Sequence, residues 1–152
     1  MADALLHFED FPVGEIATYG SYRLTREAIL AFAREYDPQP FHLDDEAAKS
    51  TMLGGLAASG WHACCILMRL NCDSFMLNST SMGAPGIDEV KWLAPLRPDV
   101  TLSVRRTTLE ARASRSRPEM GLVKFLFELV ADGKTVVTTQ TGSIMFGRRQ
   151  AA

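Results

Sequence analysis

The run from Leu56 to Leu70 is the strongest constraint on how this chain can fold. It reads as a helix that is apolar nearly all round, and such a helix has to be wrapped by protein on most of its sides. Ser59, His62 and Arg69 interrupt it, so it is too short and too polar to span a bilayer. The residues after it supply the wrapping. Ile87 to Leu93 sets Val90 and Trp92 against Glu89 and Lys91. Val100, Leu102 and Val104 alternate with Thr101, Ser103 and Arg105. Val123, Phe125, Phe127 and Leu129 alternate with Lys124, Leu126, Glu128 and Val130. Alternation with period two is the pattern of half-buried strands. Asp132-Gly133 is a two-residue hairpin turn into a last strand, Thr135 to Phe146.

The elements before the apolar helix complete the pattern. Glu15 to Leu24 reads as a first strand with Ile16, Thr18, Tyr22 and Leu24 on one face. Thr25 is the N-cap of an amphipathic helix carried by Ala28, Ile29, Phe32 and Ala33. The order is strand, helix, loop, apolar helix and a run of long antiparallel strands. One economical packing wraps a curved antiparallel sheet around the long helix, which is the hot-dog architecture of the α+β class. Residues 1–152 are expected to form a single such domain. The apolar helix would keep part of its surface near solvent in an isolated copy, so a homodimer or a dimer of dimers is expected.

Charge and cysteine content narrow the function classes. The formal net charge is −2, which gives no signal for nucleic acid. The first ten residues have neither a basic region nor a long apolar one, so no signal peptide and no membrane association are expected. Cys64, Cys65 and Cys72 fall in one predicted helix. Cys64 and Cys72 would lie roughly 12 Å apart along it, too far to bridge. They read as small buried hydrophobes of a reducing compartment, and a cytoplasmic location is expected.

The chemistry concentrates in Tyr36-Asp37-Pro38-Gln39-Pro40-Phe41-His42-Leu43-Asp44. Asp37 precedes a proline, which expels it from helical geometry and ends the helix near Tyr36. Pro38 and Pro40 fix two φ angles between Asp37 and His42. A carboxylate at the negative end of a helix dipole should have a raised pKa. The spacing alone leaves two readings open. One is an acid/base pair holding a water. The other is a turn with a surface ion pair. Asp44 caps a short helix from Asp45 to about Lys49. No metal is expected, because Gln39 and Phe41 stand where a calcium loop needs oxygen ligands.

Asp37-Pro38-Gln39-Pro40-Phe41-His42-Leu43-Asp44 resembles the motif of the MaoC-like dehydratases, the (R)-specific enoyl-CoA hydratase group. Gly54-Gly55-Leu56-Ala57-Ala58-Ser59-Gly60-Trp61-His62 is similar to that family's segment leading into the central helix. Trp92-Leu93-Ala94-Pro95-Leu96-Arg97-Pro98-Asp99 is similar to its strand-to-strand turn. Gln39 stands for the usual Asn, Phe41 for a smaller aliphatic residue and Ser59 for His, and the turn after Pro98 lacks its Gly.

The resemblance implies a hydratase or dehydratase that interconverts trans-2-enoyl-CoA and (R)-3-hydroxyacyl-CoA. Asp37 and His42 would be catalytic, with the coenzyme A thioester as substrate and no other cofactor. The Gly60 N–H, early in the helix, would receive the thioester oxygen. Ser59, Phe41, Trp61 and His62 are candidate substrate-binding residues. Core packing is the other reading of Phe41 and Trp61, and satisfied polar groups of the central helix that of Ser59 and His62. Arg105, Arg106, Arg112, Arg115 and Arg117 cluster in one stretch. Arg105, Arg112 and Arg115 are candidates for coenzyme A phosphates, or they belong to a solvated loop. The rival readings are a hot-dog acyl-CoA thioesterase or an acyl-carrier-protein dehydratase, and a non-catalytic acyl-thioester-binding module. Leu56 to Cys72 holds no acid, whereas several of these rival enzyme families carry their working carboxylate on the central helix, so the hydratase reading is favoured.

Overall fold

The computed structural model describes residues 4–150. The elements in chain order are β1 (Ile16–Arg23), α1 (Arg26–Tyr36), α2 (Asp45–Lys49), α3 (Gly60–Ser74), β2 (Ser81–Gly83), β3 (Glu89–Trp92), β4 (Thr101–Ala113), β5 (Met120–Ala131) and β6 (Thr135–Gly147). The sheet has six strands in the order β1-β4-β5-β6-β2, and β3 also pairs with β6. Every pairing within it is antiparallel. The central helix α3 packs against β1, β4 and β5 on the inner face. This is the hot-dog arrangement of the α+β class.

The local signals act where they were expected. Thr25 accepts a hydrogen bond from the Ala28 N–H at 3.1 Å and opens α1. Asp44 does the same for the Ala47 N–H at 2.8 Å and opens α2. Asp132 and Gly133 both have positive φ, 51° and 68°, as their tight hairpin requires. Asp99 also has positive φ, 67°, in the turn after Pro98.

Three expectations need correction. The helix begins at Gly60 rather than Leu56, because Ser59 caps it. It is also not wrapped all round: Trp61, Cys65 and Met68, at i, i+4 and i+7, face outward. In β1 the register with β4 shifts between Tyr19 and Tyr22, where Gly20 has φ 90°. The extra residue reverses the alternation, so Ile16 is exposed, while Tyr19 and Tyr22 pack on the core. A side chain at Gly20 would press on Leu70 of α3 at 3.0 Å.

Arg106 belongs to the arginine-rich stretch of the sequence, but it points into the core and is 7% exposed. Its guanidinium lies 4.5 Å from the Phe75 ring centroid and 5.3 Å from that of Phe11. It donates to the Glu15 carboxylate at 2.9 Å. The charge is tolerated inside because it is paired and faces aromatic rings. Among the described residues, no helix is long and apolar enough to cross a membrane.

Candidate active site

The site begins where α1 ends. Asp37 N–H still donates to the Ala33 carbonyl at 2.9 Å, while its own backbone has left the helical region. Pro40 to His42 then forms a single 3-10 turn, which swings the imidazole back toward Asp37. His42 Nε2 lies 3.4 Å from Asp37 Oδ2, and both side chains are largely buried. The other ring nitrogen, Nδ1, is 2.7 Å from the Ala57 carbonyl oxygen. A carbonyl can only accept, so Nδ1 carries the proton and donates. When the ring is neutral, Nε2 presents a lone pair beside Asp37 and the pair is two acceptors. Two acceptors at this separation do not bond each other, but together they can receive both protons of one water.

Asp37 is held from two further sides. Gln39 Nε2 donates to Oδ1 at 2.7 Å, and Ser59 Oγ donates to Oδ2 at 2.7 Å. Burial, the largest single effect, pushes the Asp37 carboxyl up; the two donors, together with the attraction of His42 when its ring is protonated, outweigh it, leaving the group below its ordinary range. The sequence expectation of a raised pKa at the end of α1 is therefore overturned. The donors act at contact distance, whereas the helix-end effect is a diffuse partial charge.

A cleft of about 710 Å³ opens beside the pair. Asp37, Gln39, Phe41, His42, Gly60 and Trp61 line it. Its remaining walls include Met52, Leu53, Trp92, Leu93, Leu96 and Thr138. A largely apolar cleft with a few convergent polar groups is the usual form of a small-molecule site. Arg97 stiffens one wall from outside. Its guanidinium donates to the carbonyls of Gly55 at 2.8 Å and Leu56 at 3.2 Å, and also to that of Leu53. The Gly60 N–H sits at the first position of α3 and has no partner among the described residues.

The residues singled out from the sequence divide into groups. Asp37, Phe41, His42, Gly60 and Trp61 converge on the cleft. Phe41 sets its ring edge-to-face against His42 at 4.6 Å. Ser59 does not line the cleft; it is 1% exposed, and its hydroxyl serves Asp37 and the α3 cap. His62 does not reach the cleft either. It points toward α1 and stacks flat on Phe32 with centroids 4.5 Å apart, so burial lowers its pKa. Its Nδ1 has no partner among the described residues.

The arginines stand apart from the site. Arg105 forks onto Glu128 across the β4–β5 pair at 2.8 and 2.7 Å and is not a free cation. Arg112 and Arg115 are exposed, at and just beyond the end of β4, and neither borders the cleft.

Sequence reasoning missed Gln39 as a partner of Asp37. The available signal was chemical: a glutamine two positions after Asp37 carries an amide donor that can reach back to its carboxylate. It also missed Met52, Leu93 and Thr138, which only the folded chain brings together.

The chain matches the MaoC like domain family over residues 11–124. The crystal structure of the MaoC-like dehydratase from Rhodospirillum rubrum superposes with a TM-score of 0.88 and 39% identity, covering 96% of this chain and 99% of that one. The (R)-hydratase PhaJ1 from Pseudomonas aeruginosa, in its unliganded form, shares the fold at a TM-score of 0.72 and 17% identity, covering 96% of this chain and 91% of that one. The uncharacterized protein YdeM of Bacillus subtilis (strain 168) is 24% identical over 121 residues, spanning 80% of this chain and 84% of its own. With the family matched across most of its length, and a relative of 39% identity aligned over nearly all of it, this chain belongs to the MaoC-like domain family.

Proposed function

We propose that the protein is a hydratase/dehydratase that interconverts trans-2-enoyl-CoA and (R)-3-hydroxyacyl-CoA, with Asp37 and His42 handling the water. The observation that carries this reading is the pairing of two proton acceptors, Asp37 Oδ2 and His42 Nε2, 3.4 Å apart at the wall of an apolar cleft. Hydration needs a water oxygen at Cβ and a proton at Cα. A water donating to both acceptors is oriented with its lone pairs toward the substrate. As its oxygen bonds to Cβ, one proton passes to the pair. One proton returns from the pair to Cα, so the pair ends as it began. Delivery from one side makes the addition syn. Positioned acid/base catalysis of this kind supplies typically ~10²–10⁴-fold.

The thioester oxygen gains negative charge as the double bond is attacked. In this reading it lies at the free Gly60 N–H, where the first turn of α3 offers an unpaired donor and the positive end of its dipole. The low Asp37 pKa keeps that carboxylate ionised and accepting at neutral pH. The coenzyme A thioester is the substrate, and the scheme requires no other cofactor. The acting form is a homodimer or a dimer of dimers. Its support is the outward stripe of Trp61, Cys65 and Met68 on α3, together with β3, which among the described residues pairs only with β6.

The test is loss of the enoyl-thioester absorbance on a panel of short, medium, branched and dicarboxylic enoyl-CoA substrates, with chiral analysis of the 3-hydroxyacyl product and a thiol reagent present. Absorbance loss without thiol release, giving the (R) product, is expected. Thiol release would instead favour a thioesterase. Binding without either change would favour a non-catalytic acyl-thioester module.

A further inference from the structure

Trp92 touches the first turn of α3 in two ways. Its indole Nε1–H donates to the Gly60 carbonyl at 3.0 Å. Its ring also covers the Gly60 α-carbon so closely that a Cβ built there would fall 2.3 Å from the indole. Gly60 is therefore a glycine because of Trp92, and not because of its own backbone angles, for it has no positive φ. Trp92 is held in turn by β3, where it sits opposite Thr138 of β6, and by Trp61, whose ring meets it edge-to-face at 5.4 Å.

We propose that Trp92 is a positioning residue of the thioester site: its indole holds the Gly60 carbonyl and covers the Gly60 α-carbon, which fixes in place the residue whose N–H, without a partner among the described residues, borders the cleft. The inference rests on the enoyl-thioester reading given above. Its physical basis is that an oxyanion donor works only if it is already in place when charge develops, and a misplacement of about 1 Å can cost ~10²-fold. Helix ends fray unless something restrains them. Here Ser59 ties the start of α3 to Asp37 and Trp92 ties it to β3. The same two links keep the Gly60 donor in step with the Asp37–His42 pair. The alternative role for Trp92 is that of a cleft wall that touches only the acyl chain.

The two roles separate experimentally. Trp92→Phe keeps a ring over Gly60 and removes the N–H donor. For a positioning residue, kcat should fall about 10-fold on every enoyl-CoA in the panel, KM should move less than about 3-fold, and amide exchange at Trp61 and Ala63 should quicken. A KM that rises with acyl length at unchanged kcat would overturn the proposal, as would unaltered exchange at those amides. Wild-type protein inactive on the whole panel would instead remove the hydratase reading. A measurement on the unmodified protein stands apart from both activity and the folding of the variant. The chain has two tryptophans, so its nitrogen-15 spectrum has two indole signals. The Trp92 signal should be protected from hydrogen exchange relative to that of Trp61, with and without crotonyl-CoA. Equal, fast exchange of the two would mean that the clamp does not exist in solution.

Discussion

The hydroxyl of Ser59 joins two parts of the molecule: it donates to Asp37 Oδ2 at 2.7 Å and accepts from the Trp61 N–H at 3.3 Å. One side chain thus caps the central helix and holds the carboxylate at the end of α1. Ser59→Ala should cost about 0.5–2 kcal/mol from the cap alone, independent of pH. The bond to Asp37 adds a pH-dependent part. The folded pKa of Asp37 is depressed, so this stabilisation is present above roughly pH 4 and is lost as pH falls through the folded value. Urea denaturation should therefore show a larger gap between wild type and variant at pH 7 than at pH 3. The acid limb of the kcat/KM profile should also move to higher pH. An unmoved limb would mean that Asp37 is not the group titrating there.

Asp37→Asn keeps the shape of the side chain but removes a proton acceptor, and His42→Ala removes its neighbour. Each should lower kcat by at least ~10²-fold with unchanged circular dichroism. The two share one water, so the double variant should be little worse than the worse single one. Near-normal turnover by either folded single variant removes the pair from the mechanism.

His62 is buried, stacked on Phe32 and without a partner at Nδ1 among the described residues. Burial depresses its pKa, so the unfolded chain binds a proton that the folded one resists. Stability should be constant above roughly pH 6.5 and should decline as pH falls from there toward the folded value. His62→Leu removes the titrating group and should flatten this part of the stability curve, with kcat little changed because His62 does not border the cleft. An identical slope in the variant would assign the acid sensitivity to another group.

Association should be visible directly. Trp61 is 60% exposed, Met68 43% and Trp92 49%, all along α3 and the adjoining edge of the sheet. A second copy that covers them would shift tryptophan emission to the blue as concentration rises through the dissociation constant. Sedimentation should give a dimer or tetramer at micromolar concentration. A stable monomer would count against a homodimer as the acting form.

Legibility in the sequence followed the range of the interaction. The α1 and α2 caps at Thr25 and Asp44 and the Asp132-Gly133 turn act within a few residues, and each could be read directly. The sign of the Asp37 shift could not, because one of its two donors, Ser59, arrives from 22 positions away. Nothing local marks Arg106 as a core residue, because Glu15, 91 positions away, and the rings around it meet it only in the folded chain. The Gly20 bulge reversed a face of β1 that strict alternation had assigned the other way. A two-residue period has no means of registering one extra residue.

Phe41 stands at the cleft wall with its ring against His42. Toward the cleft it occupies volume that a longer acyl chain would fill. Each methylene accepted or excluded is worth roughly 1–3 kcal/mol in discrimination. Short or compact acyl groups should therefore be preferred, and Phe41→Ala should raise kcat/KM for longer enoyl-CoA substrates relative to crotonyl-CoA. The same ring also steadies the imidazole, so kcat on the shortest substrate should fall somewhat. That fall should be far smaller than for His42→Ala, since the Ala57 carbonyl still holds Nδ1. The ratio of kcat/KM across chain lengths is the deciding quantity. If it stays constant while all rates drop together, Phe41 acts only as packing for His42. Chain length would then be set by another wall of the cleft, with Met52, Leu53 and Leu93 the next side chains to shorten.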